Sequence, residues 1–321
     1  MKMTTQYMDR HAIVQKVYKP WIEEIKKRTN GRVIIQLYNP NTIIPDVEAW
    51  NGVVKDQVDI VDHIVTRFPG VFPATSVASK LPLAASNASV SSAAIWELVN
   101  TIPEMQKEFS EVKLLAMHGT SPLQTFAVSK EIKNLNDMKG MKFIAAGKET
   151  SVIASALGVE SIIQPGPDIY MALSRNMGDG VIYPIPVTRS YKVNEACKYM
   201  LETSIQSVGC FVVMNKSRWE SLPDDIKKIF EETTGEVMVK ALGAALDEGE
   251  KEDLDAMVAA GMKVNKLDPA ERQHWKDLIE VATKAIWMKE IEGKISPERA
   301  NEIYDQSKAV FAKYEAALSA K

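Results

Sequence analysis

The sequence predicts an α/β protein of two lobes with a long helical C-terminal region, and three observations carry that prediction. A chain of 321 residues with 45% hydrophobic and 25% charged residues has enough apolar material for two cores. Up to Met214, β-branched runs alternate with amphipathic helical stretches, the rhythm of mostly parallel sheets covered by helices. From Ser221-Leu222-Pro223 onward the pattern is almost wholly helical, with Pro269 and Pro297 marking helix starts.

The elements follow in order. Residues 12–28 set Ile13, Val17, Trp21 and Ile25 four apart on one face, and Asn30-Gly31 supplies the stop, so a surface helix is expected. The run from Arg32 to Tyr38, closed by Asn39-Pro40-Asn41, reads as a strand and turn. A helix over 45–56 leads to a buried strand over 58–61; a helix over 88–109, with Trp96 like Trp50 at core spacing, leads to a strand from Val112 to Met117. A second unit repeats this logic. Phe126 to Val128 and Met141 to Ala145 read as strands, Lys148 to Leu157 as a helix between Gly147 and Gly158, and Asp168 to Met177 as a helix ended by Gly178. Gly209 to Met214 is a further apolar strand.

Composition excludes several classes of function. The 39 basic and 42 acidic residues give a formal charge of −3 and are interspersed, so nucleic acid is not an expected partner. No apolar run approaches the roughly 18–20 residues that span a bilayer, and the opening MKMTTQYMDRH has no apolar core of a signal peptide. Cys197 and Cys210 are too few for a disulfide scaffold; they read as small buried hydrophobes or as a single bridge. The chain carries no nucleophile elbow, P-loop, dinucleotide fingerprint or zinc-protease motif, so catalysis is not expected. His11, His63, His118 and His274 are dispersed, and neither a metal site nor a cofactor is expected.

Read in order, the segments HAIVQKVYKPWIEEIKKRTNGRVIIQLY, VVKDQVDIV, FPGVFPATSVASKLPL, LNDMKGMKFIAAG, ALGVESIIQPGPDIYMAL, GDG and MNKSRWESLPDDIKKIFEE resemble the extracytoplasmic substrate-binding proteins of TRAP transporters over nearly the whole chain. The resemblance implies the two-lobed periplasmic binding protein fold with crossing strands, hinge closure on a small solute and delivery to the TRAP transporter membrane subunits. It also implies export to the periplasm, with the signal sequence removed. The expected division is 1–125 with 215–255 for lobe I and 126–214 with 256–321 for lobe II. Phe126 to Lys130 and Cys210 to Met214 are expected to be the crossing strands.

The ligand expectation turns on one position. Where most members of the family carry an arginine that pairs with a ligand carboxylate, this chain has Ile144. Either another cation replaces the arginine, for which Lys130, Lys148 and Arg67 are the candidates, or the ligand lacks that carboxylate. Asp9, His11, Asp62, His63, His118 and Glu149 are expected at strand ends or loops near the cleft, with Tyr7, Phe68, Phe126 and Tyr183 beside them. Carboxylates with aromatics suit an amine, ammonium or neutral polar solute, which is the favoured reading, with organic-acid binding the alternative. Glu149 fits equally a helix N-terminal charge, and Arg189 a surface one. An enzyme using the cleft predicts turnover of a bound compound, and a purely structural protein predicts no stabilisation by any solute.

Overall fold

The computed structural model describes residues 1–319. Among the described residues eleven strands form two sheets. The first contains β1 (Lys2–Thr5), β2 (Gln36–Tyr38), β3 (Ile60–Ile64) and β4 (Val112–Gly119). The second contains β5 (Leu123–Ala127), β6 (Lys142–Ala145), β7 (Glu160–Ile163), β8 (Gly180–Pro184) and β9 (Tyr199–Glu202). The chain then returns to the first sheet with β10 (Gly209–Asn215), and β11 (Lys263–Lys266) completes the second. The strand orders are β2-β1-β3-β10-β4 and β11-β9-β5-β8-β6-β7. β10 runs antiparallel to both neighbours, as does β5, and every other pairing is parallel.

Each sheet is buried on both faces, which is why its strands read as continuous apolar runs. On one face of the first sheet Ile13, Trp21, Ile25, Phe230 and Leu242 pack over Met3 and Ile60. The other face is aromatic: Trp50, Phe72, Phe109 and Phe211 meet edge to face or stacked, with Trp50 4.7 Å from Phe72. The second sheet has Phe143, Ile153, Leu201, Trp275 and Ile279 on one face. On the other lie Phe126, Ile144, Leu173, Val181 and Met257.

Two long helices join the lobes. Glu236–Ala259 buries Met238 and Leu242 in the first lobe and Met257 in the second; Pro269–Glu290 buries Trp275 in the second and Trp287 in the first. Between the sheets two chain segments pair: Thr120 donates to the Val208 carbonyl at 2.9 Å, Leu123 to Gln206 at 2.9 Å and Ile205 to Leu123 at 2.8 Å.

The structure corrects the expected organisation in several places. Cys210 to Met214 is not a crossing strand but a buried interior strand of the first sheet, between β3 and β4, and Phe126 lies inside the second sheet; the crossing falls at 120–123 and 205–208. The last helix, Pro297–Ser319, sets Ile303, Tyr304 and Phe311 in the first lobe's core rather than the second's. A fully apolar strand fits the middle of either sheet, so its hydrophobicity does not choose between them. The expected helix over 88–109 divides at Ile102, which stays extended because Pro103 disfavours helical backbone before it. Of the expected strand over 32–38, only Gln36–Tyr38 joins the ladder.

Candidate functional site

The C-terminal ends of β1, β3 and β4 bring a polar cluster together in the first lobe. Asp62 and His118 are both fully buried, with Nε2 3.4 Å from Oδ1. Thr5 Oγ1 donates to the other Asp62 oxygen at 2.5 Å, and His118 Nδ1 lies 3.1 Å from the Gly119 carbonyl, so both ring nitrogens face acceptors. Tyr7 stacks on His11 at 4.1 Å and stands 6.5 Å from His118; its hydroxyl is 3.9 Å from the thiol of Cys210, to which Gln6 Nε2 donates at 3.4 Å. A short π-helical turn, Val14–Tyr18, precedes the helix Lys19–Arg28, and the Tyr18 hydroxyl ends up buried near Asp62 without a closed hydrogen bond. Burial pushes the Tyr7 and Tyr18 phenols and the Cys210 thiol up, and lowers His11 to about 4.

A second group forms across the lobes. A cavity of about 350 Å³ is walled by Val65, Phe68, Pro69, Phe72 and Pro73 of the first lobe, by Lys148 and Glu149 of the second and by Ile286 and Glu290 of a joining helix. Lys80 lies in it, only 5% exposed, and its ammonium bonds Glu149 across the interface and Glu290 at 3.3 Å. Its backbone is fixed by the Thr283 hydroxyl, which donates to the Lys80 carbonyl at 2.9 Å. Upstream, Glu108 accepts from the amides of Ala74 (2.6 Å) and Thr75 (2.9 Å) and anchors the turn that leads to Lys80; burial raises its carboxyl to about 7. On the lobe II side the nine-residue helix Lys148–Ala156 begins at this cavity, with Lys148 and Glu149 of its first turn in the wall.

The expected residues therefore separate. Tyr7, His11, Asp62 and His118 share the first-lobe cluster, and Phe68, Lys148 and Glu149 line the interlobe cavity. His63 sits behind that wall, 5.0 Å from Phe68, with Nε2 3.0 Å from Asp46, which also pairs with Arg67 at 3.2 Å. His63 first and Arg67 second hold the Asp46 carboxyl below its ordinary range. Four residues lie elsewhere: Asp9 pairs with Lys19 at 2.8 Å, Lys130 donates to the Asp137 carbonyl, and Phe126 and Ile144 are fully buried in the second lobe. Ile144 reaches toward Gly178, where a Cβ would stand 2.9 Å from it, so the side chain is core packing. Tyr183 is buried in the same cluster, its phenol raised by burial and its hydroxyl close over Gly166.

The structure adds Lys80, Glu290, Tyr18 and Cys210. Only Lys80 carried a signal, as the one charge in the otherwise uncharged run PATSVASKLPL. Both cysteines are free and buried, Cys197 in the second lobe and Cys210 in the first, which agrees with the buried-hydrophobe reading. Among the described residues no group of histidine, cysteine and carboxylate side chains could hold a metal, and no helix is long and apolar enough to cross a membrane.

Two α/β lobes joined by paired crossing segments and spanning helices, with a charge-lined cavity between them, define a receptor that encloses a small solute. The model of the bacterial extracellular solute-binding proteins, family 7, matches residues 3–290, and the chain belongs to that family, the TRAP transporter receptors. The C4-dicarboxylate-binding periplasmic protein DctP of Rhodobacter capsulatus is 24% identical over 266 residues, covering 80% of this chain and 77% of that protein. A TRAP periplasmic solute-binding protein from Desulfovibrio salexigens, solved in an open complex, superposes with a TM-score of 0.88 at 26% identity, covering 98% of this chain and 96% of that one. One from Rhodoferax ferrireducens, solved with copurified benzoate, superposes with a TM-score of 0.83 at 24% identity over 99% of both chains. The family consists of extracytoplasmic solute receptors rather than enzymes, working with transporter membrane subunits.

Proposed function

We propose that this chain is a periplasmic receptor for a small organic acid with an apolar, ring-sized body, which it encloses between the lobes and hands to the membrane subunits of a TRAP transporter. The observation that carries the reading is Lys80. Its two carboxylate partners are the movable ones: the Glu149 side chain is 28% exposed and that of Glu290 42%, against 6% for Lys80. Either acid can turn to water, whereas the ammonium is held in place by a pinned backbone and a buried stem. The fixed charge of the cavity is thus positive, and an unpaired buried cation demands an anion. The first-turn amides at Lys148 favour the same sign. Phe68, Phe72, Pro69 and Pro73 supply an apolar wall for the rest of the ligand. In this reading Glu149 occupies the place of the ligand carboxylate and is displaced on binding. Benzoate in the Rhodoferax ferrireducens receptor and the dicarboxylate in the name of the Rhodobacter capsulatus one are of the same chemical class.

The organic-acid alternative is therefore preferred over the amine, because Ile144 packs in the core and a cation stands elsewhere. The test is calorimetric titration of the protein, stripped of bound solute, with benzoate, 3-hydroxybenzoate and succinate against benzylamine and choline. An acid should bind, and Lys80→Met should weaken it by about 100-fold or more. Tight amine binding that survives Lys80→Met and is lost in Asp62→Asn would overturn the proposal and make the Asp62–Tyr7–His11 cluster the recognition site. Recovery of the bound compound unchanged separates a receptor from an enzyme.

A further inference from the structure

The charges in the wall of the interlobe cavity balance: two lysines, Lys80 and Lys148, stand with two glutamates, Glu149 and Glu290. Lys80 and Glu290 belong to one packed unit. The Trp287 indole donates to the Pro73 carbonyl at 2.8 Å and the Thr283 hydroxyl to the Lys80 carbonyl at 2.9 Å, while Ser76 Oγ lies 3.5 Å from Glu290. Glu149 comes from the other lobe, on the first turn of the helix Lys148–Ala156. Among the described residues Lys80 is the one group with which its side chain pairs. Lys148 is no substitute, because side chains one place apart on a helix do not face each other.

We infer that the ligand is an α-amino acid with an apolar, ring-sized side chain, held as its zwitterion with the carboxylate on Lys80 and the ammonium on Glu149. The inference rests on the reading of Lys80 as the anion site and adds a second charge to the solute. A simple acid that takes Lys80 from Glu149 leaves that glutamate without a counter-charge, beside Glu290 and the ligand's own carboxylate. Three carboxylates then surround one buried ammonium, and like charges so close disfavour one another. A zwitterion inserted between Lys80 and Glu149 instead replaces one ion pair by two and keeps the cavity neutral. Lys80 and Glu149 are in direct contact, so the two charges that part them must lie close together. An α carbon carries its carboxylate and ammonium in that way, whereas an acid with its ammonium across a ring does not. The side chain on the same carbon then meets the wall of Phe68, Phe72, Pro69 and Pro73. With one charge on each lobe, the ligand itself ties the two together.

The test is calorimetric titration of the full chain, stripped of bound solute, with three matched sets. Phenylalanine and phenylglycine are compared with the acids that lack only the amine, 3-phenylpropanoate and phenylacetate, and with the amines that lack only the carboxylate, 2-phenylethylamine and benzylamine. Each amino acid should bind about tenfold or more tightly than its deaminated counterpart, and the amines should bind weakest. Glu149→Gln should bring amino acid and acid to within about threefold of each other, while Glu149→Asp, which keeps the charge, should keep the preference. Glu290→Gln should tighten acid and amino acid alike, and Lys80→Met should weaken both. Equal or tighter binding of the deaminated acids, lost in Lys80→Met, would overturn the zwitterion and leave the organic-acid reading standing. A preference that survives Glu149→Gln, or that Glu290→Gln removes instead, would overturn the placing of the ammonium on Glu149. Binding of neither acids nor amino acids, or of the amines alone, would overturn the organic-acid reading and this inference with it.

Discussion

The two lobes end their strands in opposite materials. The first ends its strands in a buried polar network, with Asp62 and His118 fully enclosed and tyrosines packed round them. The second ends β6 in Ile144 and Ala145, both core residues, and delivers its polar groups only from the start of the next helix at Lys148 and Glu149. The first lobe's polarity is thus pre-organised by packing, while the second's stands on a helix end and on side chains that can swing. A rigid half and an adjustable half are what closure around a ligand needs, since only one partner must adapt.

That contrast can be broken most severely in the first lobe. Asp62→Ala strands the buried His118 ring beside an apolar gap and should cost about 3–5 kcal/mol, read from urea unfolding; a loss below about 1 kcal/mol would show that water already reaches the cluster. The next effect sits at the hinge. Glu250, on the spanning helix beside Ser121 and Gln124, is raised from 4.5 to about 7 by burial. Because its folded pKa exceeds its unfolded one, the native state binds the extra proton between those values, and stability falls as pH rises through that window. Glu250→Gln should remove about 3 kcal/mol of this pH dependence; an unchanged slope would assign it to other groups, Glu108 first among them.

A smaller change sharpens the second half of the comparison. Ile144→Val should cost about 1 kcal/mol of stability and leave solute affinity unaltered, because the side chain fills core beside Gly178. A shift in affinity at constant stability would return this position to the cleft wall. The least perturbing experiment is thiol counting: two thiols should titrate after denaturation without reductant, and both should react slowly in the native protein, where burial raises them.

Much of this architecture is legible in the sequence, for identifiable reasons. Alternating helix and strand periodicities locate most elements, and Gly158 and Pro269 punctuate them, whereas the break at Pro103 falls inside one expected helix. The sheet assignment of β10 is not legible, because residues buried on both faces carry no directional pattern. Lys80 escapes for a related reason: a lysine after Ala78-Ser79 looks like solvated surface until the chain folds Glu149 and Glu290 against it. The Ile144 position shows the converse. A departure from a family pattern was visible, yet its meaning depended on the direction of one side chain, which Gly178 sets from another part of the chain.

The placement of β10 also bears on how the protein is made. The first sheet has the strand between β3 and β4 supplied only after the whole run from β5 to β9 has passed, so those two stay unjoined while the chain is still emerging. A nascent chain ending before residue 209 holds the three strands β2-β1-β3 and a lone β4, each with an open edge, rather than a finished lobe. Non-local closure of this kind is slow. Completion of the first lobe's core therefore waits until the strands β5 to β9 of the second lobe have been made.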